Sequence, residues 1–327
     1  MGFVPCGSDD DDENQEPGQI SDNTKAGSGT MNAHAGHFQG KDENWYQLQQ
    51  VAYTTKGSNS STNTKIISYK YNTDGTLASI TSGTENWDSE TLDFSNPNLV
   101  AYSTFGMESN MGISYNADGY ISKITSEQSF PAYTSDQVFL GNGSVKRTIN
   151  AYYDSEGHLT TIVSTSEAKS YNNEGVAFTE KDDYMYKLIW ENSSLKSVTY
   201  NATESSTDPD YSNTETTQET WIADFTGTTY FNPYQQWDGI NNLPFEAYSF
   251  STFFFANLFG KAPIVIPSGW LLTRSEDGEV KMENVSILSD CSMSRNDWGL
   301  ISTSTGGKNT SGSYYVNSVF TYAPLQP

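Results

Sequence analysis

Apolar residues alternate with polar ones in three stretches, and each stretch runs into a turn that contains glycine. Every second residue before the turn is apolar, and the residues between them are mostly polar; the apolar sets are Ile67, Tyr69, Tyr71, then Met111, Ile113, Tyr115, then Ile149, Ala151, Tyr153. A period of two predicts β-strands with one apolar and one wettable face. This pattern is typical of an antiparallel sheet.

Each stretch ends in a ten-residue phrase that recurs in register: Tyr71 to Ile80, Tyr115 to Ile124 and Tyr153 to Ile162. An Asn or Asp follows the Tyr, and a Gly follows three residues later. This order predicts a hairpin turn in which the Gly has a positive φ. Apolar residues at the second and fifth positions after the Gly break the alternation, which predicts a bulge. A fourth copy, Trp190 to Val198, is one residue shorter and lacks the Gly.

These phrases resemble the tyrosine-aspartate repeats of Rhs proteins. Together with the segment 237–245, they make the chain similar to Bacteroidetes outer-membrane lipoproteins of unknown function. The resemblance covers residues 60 to 325 and implies a porin-like fold. No catalytic or binding residues are established for that family, so none is assigned by the resemblance.

We therefore predict an all-β fold, an antiparallel β-meander that curls into one barrel-like domain over residues 44–327. The domain would be porin-like but soluble, because Ser, Lys and Asn side chains would face lipid if the strands crossed a membrane. Helical spacing of Phe250, Phe253 and Phe254, with Gly260 placed to cap the end, predicts one central helix over residues 245–259. The polar stretch 201–220 is expected to form a long loop or hairpin tip.

Residues 1–43 have the composition of a disordered acidic tether, with nine acidic and two basic residues. Cys6 followed by Asp9 to Asp12 resembles the acylated cysteine and acidic export tag of Bacteroidetes lipoproteins. This implies a signal peptide and a lipid anchor at the outer membrane, on the cell surface or its periplasmic face. The alternative is an acidic tail with an incidental cysteine. His34 and His37 also lie here, and two ligands are too few for a stable metal site.

The composition narrows the range of partners. The chain has 327 residues and a formal net charge of −23, which disfavours nucleic acid as a partner. Membrane contact is expected only through the N-terminal lipid. No metalloprotease, nucleophile-elbow, phosphate-loop or paired-cysteine motif occurs, and only three histidines are present. An enzyme is therefore not expected.

Two groups of residues are candidates for binding. Trp221, Tyr234 and Trp237, with Asp238, could form sugar-stacking platforms, although packing in a β core is the favoured interpretation for most of them. A second group, Asp208, Asp210, Ser212 and Glu219, matches the oxygen spacing of a calcium loop. Asn213 stands where that loop needs glycine, so a solvated acidic loop is favoured. No other cofactor is expected.

Three functions remain open. The leading hypothesis is a non-enzymatic cell-surface lipoprotein that binds a neutral glycan or an envelope protein. The second is a carbohydrate-active hydrolase that uses a carboxylate pair, for which Asp182, Asp183 and Asp238 are candidates by location. The third is a purely structural envelope protein.

Overall fold

The structure is a computed structural model. It describes residues 29–56, 62–84, 87–104, 107–133, 136–172, 174–209, 213–225, 230–231, 256–261, 265–267, 269–287, 292–306 and 315–325.

Twenty β-strands occur in this part of the chain. They are β1 (His37–Gln39), β2 (Trp45–Lys56), β3 (Thr62–Tyr71), β4 (Leu77–Thr84), β5 (Trp87–Asp93), β6 (Leu99–Thr104), β7 (Met107–Tyr115), β8 (Ile121–Tyr133), β9 (Phe139–Tyr153), β10 (Leu159–Tyr171), β11 (Ala177–Glu191), β12 (Ser194–Ser206), β13 (Thr214–Asp224), β14 (Tyr230–Phe231), β15 (Val265–Ile266), β16 (Gly269–Glu276), β17 (Glu279–Ile287), β18 (Ser292–Arg295), β19 (Ile301–Gly306) and β20 (Tyr315–Pro324).

Eighteen of these strands form one antiparallel sheet. From β3 to β13 each strand pairs with the next along the chain, β13 pairs with β16, and β16 pairs with β17. On the other side, β3 pairs with β2, β2 with β20, β20 with β19, and β19 with β18, while β1 lies beside the start of β2. Strands β14 and β15 form a separate pair. The predicted all-β antiparallel meander is confirmed.

Two details of the predicted fold are corrected. The described registers do not pair β17 with β18, so the sheet is not closed into a barrel in the part of the chain that the structure describes. The predicted central helix is not found: residues 256–259 form a turn and bends, and residues 245–255 lie outside the described residues. Gly260 has a φ of 81°, as expected of a cap, but it follows this turn rather than a helix.

The glycine turns of the repeated phrases have the predicted geometry. Gly75, Gly119 and Gly157 have φ values of 84°, 82° and 88°. In the second phrase the Asn116 Oδ1 atom accepts hydrogen bonds from the amides of Asp118 and Tyr120, at 3.0 and 2.9 Å. A side-chain oxygen that holds its own loop in this way explains why Asn or Asp follows the tyrosine.

The predicted bulge is present in all three phrases. The register shifts after the turn, so Ala78, Ser122 and Thr160 have no directly opposed partner. The shorter fourth copy has the same shift, and its turn uses Asn192 and Ser193 at φ values of 50° and 56° in place of the Gly. Turns of this type also occur at 172–175, after Tyr171, and at 296–299, where arginine replaces the tyrosine. Sequence inspection missed the second of these.

The first residue of each phrase ties its hairpin to another part of the chain. The hydroxyl of Tyr71 donates to the Leu48 carbonyl at 2.8 Å, and that of Tyr115 donates to the Pro97 carbonyl at 2.8 Å. The remaining two ties run from the Tyr153 hydroxyl to the Ile121 carbonyl at 2.6 Å and from the Trp190 indole Nε1 to the Leu159 carbonyl at 2.8 Å. The tyrosine therefore fills the core and also satisfies a backbone acceptor.

One face of the sheet carries the hydrophobic core, and we call it the core face. Because neighbouring strands run in opposite directions, the turns after β3, β7, β9 and β11 all lie at one end, the repeat end; the opposite end is the far end. The core residues cluster toward the repeat end. There Ala256, Leu258 and Phe259 are fully buried, and the Ile121 amide donates to the Leu258 carbonyl at 2.8 Å.

Residues 29–43 belong to this folded unit, although the sequence placed them in the tether. Ala35 and Phe38 are buried in the core, and the Gly29 amide donates to the Tyr115 carbonyl at 3.1 Å. Similarly, most of the stretch 201–220 is strand, because β12 and β13 leave only residues 207–213 as the connection. Ser and Thr at alternate positions suit a wettable sheet face, which composition alone does not distinguish from a loop.

Candidate functional site

The core face changes from apolar to polar toward the far end. On each strand the residue two positions beyond a core residue is usually polar: Ser82 follows Ile80, and Arg147 precedes Ile149. The resulting polar belt consists of Lys65, Ser82, Glu90, Ser109, Ser126, Gln128, Arg147, Ser164, Ser166, Asp182, Glu204, Glu219 and Arg274. Sequence reasoning missed this belt. The only sign of the belt in the sequence is that the alternation with a period of two continues past the last apolar residue of each strand.

A cavity of 210 Å³ opens between strands β4 and β9. Its lining is apolar on the repeat side and polar on the far side, and it comprises Ile80, Ser82, Glu90, Leu92, Tyr102, Ser109, Met111, Ile124, Ser126, Gln128, Val145, Arg147 and Ile149. An apolar floor with a few polar groups is the usual character of a small-molecule site.

Asp182 and Glu204 lie directly opposite each other on the neighbouring strands β11 and β12. Burial and the charge of Glu204 raise the pKa of Asp182, while Arg147 partly offsets this and Asp183 adds to it. The Tyr184 hydroxyl donates to Glu204 Oε1 at 3.3 Å, and burial and the two carboxylates raise the pKa of Tyr184. Asp183 is the next residue along the strand and therefore projects to the opposite face, so Asp182 and Asp183 do not form a pair.

Tyr184 lies beside these carboxylates, and two more tyrosine rings follow it along the core face. The rings of Tyr184 and Tyr200 stack with centroids 6.0 Å apart, and those of Tyr186 and Tyr200 are 4.7 Å apart. Tyr184 and Tyr200 are half-buried, so each ring contacts its neighbours and retains an exposed part. Aromatic rings next to hydrogen-bonding groups suit the apolar and polar surfaces of a sugar.

Glu219 and Trp221, which the sequence assigned to different candidate sites, lie together on β13. The Trp221 indole Nε1 donates to Glu219 Oε2 at 3.0 Å, and Arg274 Nη1 pairs with Glu219 Oε1 at 3.3 Å. Both side chains are buried. Trp221 is therefore a core residue, as the packing interpretation expected, and the Glu219 carboxylate already has a cationic partner.

The structure does not bring Glu219 to the proposed calcium loop. Asp208 is buried in the β12–β13 connection, where its amide donates to the Ser206 hydroxyl at 3.1 Å. Glu219 lies five residues past the start of β13, a rise of about 17 Å. Asp210 and Ser212 lie outside the described residues. No three His, Cys, Asp or Glu side chains in the described part of the chain are grouped to bind a metal.

The other predicted site residues, Cys6, Tyr234, Trp237 and Asp238, lie outside the described residues. The structure describes both histidines of the expected tether. His37 is buried, which lowers its pKa, and its ring lies 5.4 Å from that of Tyr71. His34 stacks on Trp45 at 4.9 Å. Both imidazoles pack against aromatic residues at the repeat end.

The outer face of the sheet carries several ion pairs. Lys146 pairs with Glu127 at 3.0 Å, and Glu167 pairs with Lys169 at 3.2 Å and Lys181 at 3.8 Å. No helix in the described ranges is long and apolar enough to cross a membrane.

Comparison with known proteins gives the fold class. No family model and no curated protein sequence matches the chain. A solved porin-like protein from Bacteroides uniformis has a TM-score of 0.50 and 11% identity over 84% of this chain and 96% of its own. A porin-like protein from Bacteroides vulgatus has a TM-score of 0.50 and 9% identity over 85% of this chain and 99% of its own. The chain has a porin-like antiparallel fold similar to these Bacteroides proteins, as the resemblance in the sequence implied.

Proposed function

We propose that the chain is a non-enzymatic protein of the Bacteroidetes cell envelope that binds a neutral glycan on its core face. The observation that carries this proposal is the half-buried Tyr184 ring, which lies beside Asp182 and Glu204 and stacks on the ring of Tyr200. Carboxylate oxygens accept hydrogen bonds from sugar hydroxyls, and the tyrosine rings cover the apolar face of a sugar ring.

The cellular location of the protein is part of the proposal. Cys6 and the acidic run after it suit a lipid anchor at the outer membrane, on the cell surface or its periplasmic face. The porin-like Bacteroides structures support an envelope protein. Gly29 lies at the repeat end of the sheet, beside Tyr115, so the tether joins the domain at the end away from the polar belt.

The test is a glycan array probed with the full chain, with calcium and again with a chelator. We expect binding to neutral glycans that Tyr184→Ala or Asp182→Asn weakens about tenfold or more, and that Tyr152→Ala on the outer face leaves unchanged. Loss of binding in Trp237→Ala but not in Tyr184→Ala would place the ligand away from the belt. Absence of any glycan or envelope-protein ligand would favour the purely structural role.

The second candidate function is glycoside hydrolysis. Asp182 and Glu204 are directly opposed on antiparallel strands, and such residues have Cβ atoms about 4.5–5.5 Å apart. Two carboxyl groups close to each other are what a glycosidase requires. The raised pKa of Asp182 suits a general acid, and Glu204 lies opposite it as the second carboxyl group. Incubating each bound glycan and measuring product length tests this function. Shortened products that disappear in Asp182→Asn, with binding retained, would replace the binding role by hydrolysis.

A further inference from the structure

The lining of the cavity between β4 and β9 contains none of the tyrosines and carboxylates of the proposed glycan site. Ile80, Leu92, Ile124 and Ile149 form its apolar floor, and these residues also belong to the hydrophobic core. Its volume of 210 Å³ is smaller than the about 300–1,000 Å³ of pockets for drug-sized ligands. A ligand for this cavity is therefore small, and most of its surface is apolar.

The acidic residue in the cavity lining is already neutralised. Glu90 Oε2 pairs with Lys65 Nζ at 3.3 Å and accepts a hydrogen bond from the Ser82 hydroxyl at 3.2 Å. Its Oε1 atom accepts from the Tyr102 hydroxyl at 3.5 Å. Glu90 is thus part of the wall, and it does not supply a free negative charge to a ligand.

Arg147 is the basic residue in the lining, and unlike Glu90 it has no ion-pair partner in the described part of the chain. Its guanidinium forms no ion pair or hydrogen bond with a residue in the described part of the chain, and its side chain is exposed. Asp182, two strands away, is attracted to it but makes no ion pair with it. A guanidinium presents five donors in a planar fork that matches the two oxygens of a carboxylate.

We propose that this cavity binds a small carboxylate with an apolar body, which packs on Ile80, Leu92, Ile124 and Ile149 while its carboxylate pairs with Arg147. Medium-chain fatty acids and arylacetates belong to this chemical class. The site goes beyond the proposed function, since it uses neither Tyr184 nor Glu204 and takes a different ligand. The positive charge of Arg147 also discriminates between ligands, because it would repel the ammonium group of an amine of the same length.

The test compares three ligands of equal length on the full chain: octanoate, octanol and octylamine. Calorimetry measures affinity, and methyl spectra of isoleucine-labelled protein show whether Ile80, Ile124 and Ile149 respond. We expect saturable octanoate binding that moves these methyl signals, with octanol weaker by about tenfold or more because it lacks the charged pair. Octylamine should bind more weakly than octanol.

Two variants distinguish an effect of the Arg147 guanidinium from a general effect of positive charge on the protein. Arg147→Gln should weaken octanoate about tenfold and leave octanol unchanged. Lys146→Gln is the matched control, because Lys146 is the adjacent residue on the outer face and pairs with Glu127. It should leave octanoate binding unchanged.

Three results would overturn the inference: equal affinity for octanoate and octanol, an unchanged affinity in Arg147→Gln, or no saturable binding of any of the three ligands. The first and third need only the wild-type protein, so the test does not depend on how a variant folds. Glycan binding by Arg147→Gln is measured in parallel. Loss of octanoate with glycan binding intact would separate this site from the proposed function, and failure of the glycan array alone would leave it standing.

Discussion

Two buried tyrosines on the same face of the sheet should respond in opposite ways to loss of the hydroxyl. Tyr115 is fully buried, and its hydroxyl donates to the Pro97 carbonyl at 2.8 Å. Tyr69 is 2% exposed, and its hydroxyl has no hydrogen-bond partner among the described residues. The substitutions Tyr115→Phe and Tyr69→Phe each remove one oxygen atom and keep the ring, so packing changes little.

The magnitudes follow from what each hydroxyl contacts. In Tyr115→Phe the protein loses a buried hydrogen bond and leaves the Pro97 carbonyl without that donor, so the free energy of unfolding should fall by about 1–3 kcal/mol. In Tyr69→Phe it loses only a desolvated hydroxyl that gains nothing on burial. The free energy of unfolding should therefore rise by about 1 kcal/mol.

Urea unfolding followed by circular dichroism measures both changes, with Tyr152→Phe on the outer face as the control expected to stay within about 0.5 kcal/mol of wild type. An equal loss in Tyr115→Phe and Tyr152→Phe would refute the view that the tyrosine of the repeat stabilises its hairpin through its hydroxyl. A loss in Tyr69→Phe as large as that in Tyr115→Phe would refute the assignment of Tyr69 as unpartnered.

Three further predictions concern the turns, the pH dependence of stability and the carboxylate pair. Gly75→Ala should cost about 1 kcal/mol from its positive φ alone, whereas Gly119→Ala should cost more because the new Cβ would lie 2.6 Å from the Asn32 backbone nitrogen; denaturant midpoints rank the two. Burial raises the pKa of several core tyrosines, so the unfolded chain ionises first, and the free energy of unfolding should fall as pH rises above about 10. An alkaline titration of stability checks this. Because the pKa of Asp182 is raised in the folded state, ionisation of Asp182 opposes folding above about pH 4. Asp182→Asn should therefore raise the free energy of unfolding at pH 7 by about 0.5 kcal/mol, after allowance for solvent screening. The same substitution should leave it unchanged at pH 3.

Local rules were sufficient for the hairpins. The alternation before Tyr115, the Asn and Gly of the turn, and the broken spacing of Ile121 and Ile124 each predict a feature that the structure contains. All of these are interactions between residues close in sequence. The helix over 245–259 was predicted by the same kind of rule and was not found, because apolar spacing over so short a stretch does not distinguish a helix from a packed irregular segment.

The candidate site was beyond such rules. Asp182 and Glu204 are twenty-two residues apart in sequence and meet only because β11 and β12 pair in a particular register. The floor and the rim of the cavity come from six strands. The Arg147 guanidinium can pair with a ligand there only because the Glu90 carboxylate pairs with Lys65 instead.

The strands next to the repeat turns, the turns and their bulges could be predicted from sequence, because each depends on backbone preferences and on side chains within about ten residues. Which polar residues line the core face and which face solvent depends on strand pairing, because a shift of one residue in register exchanges the two faces. The same reason separates Asp182 from Asp183, neighbours in sequence on opposite sides of one strand.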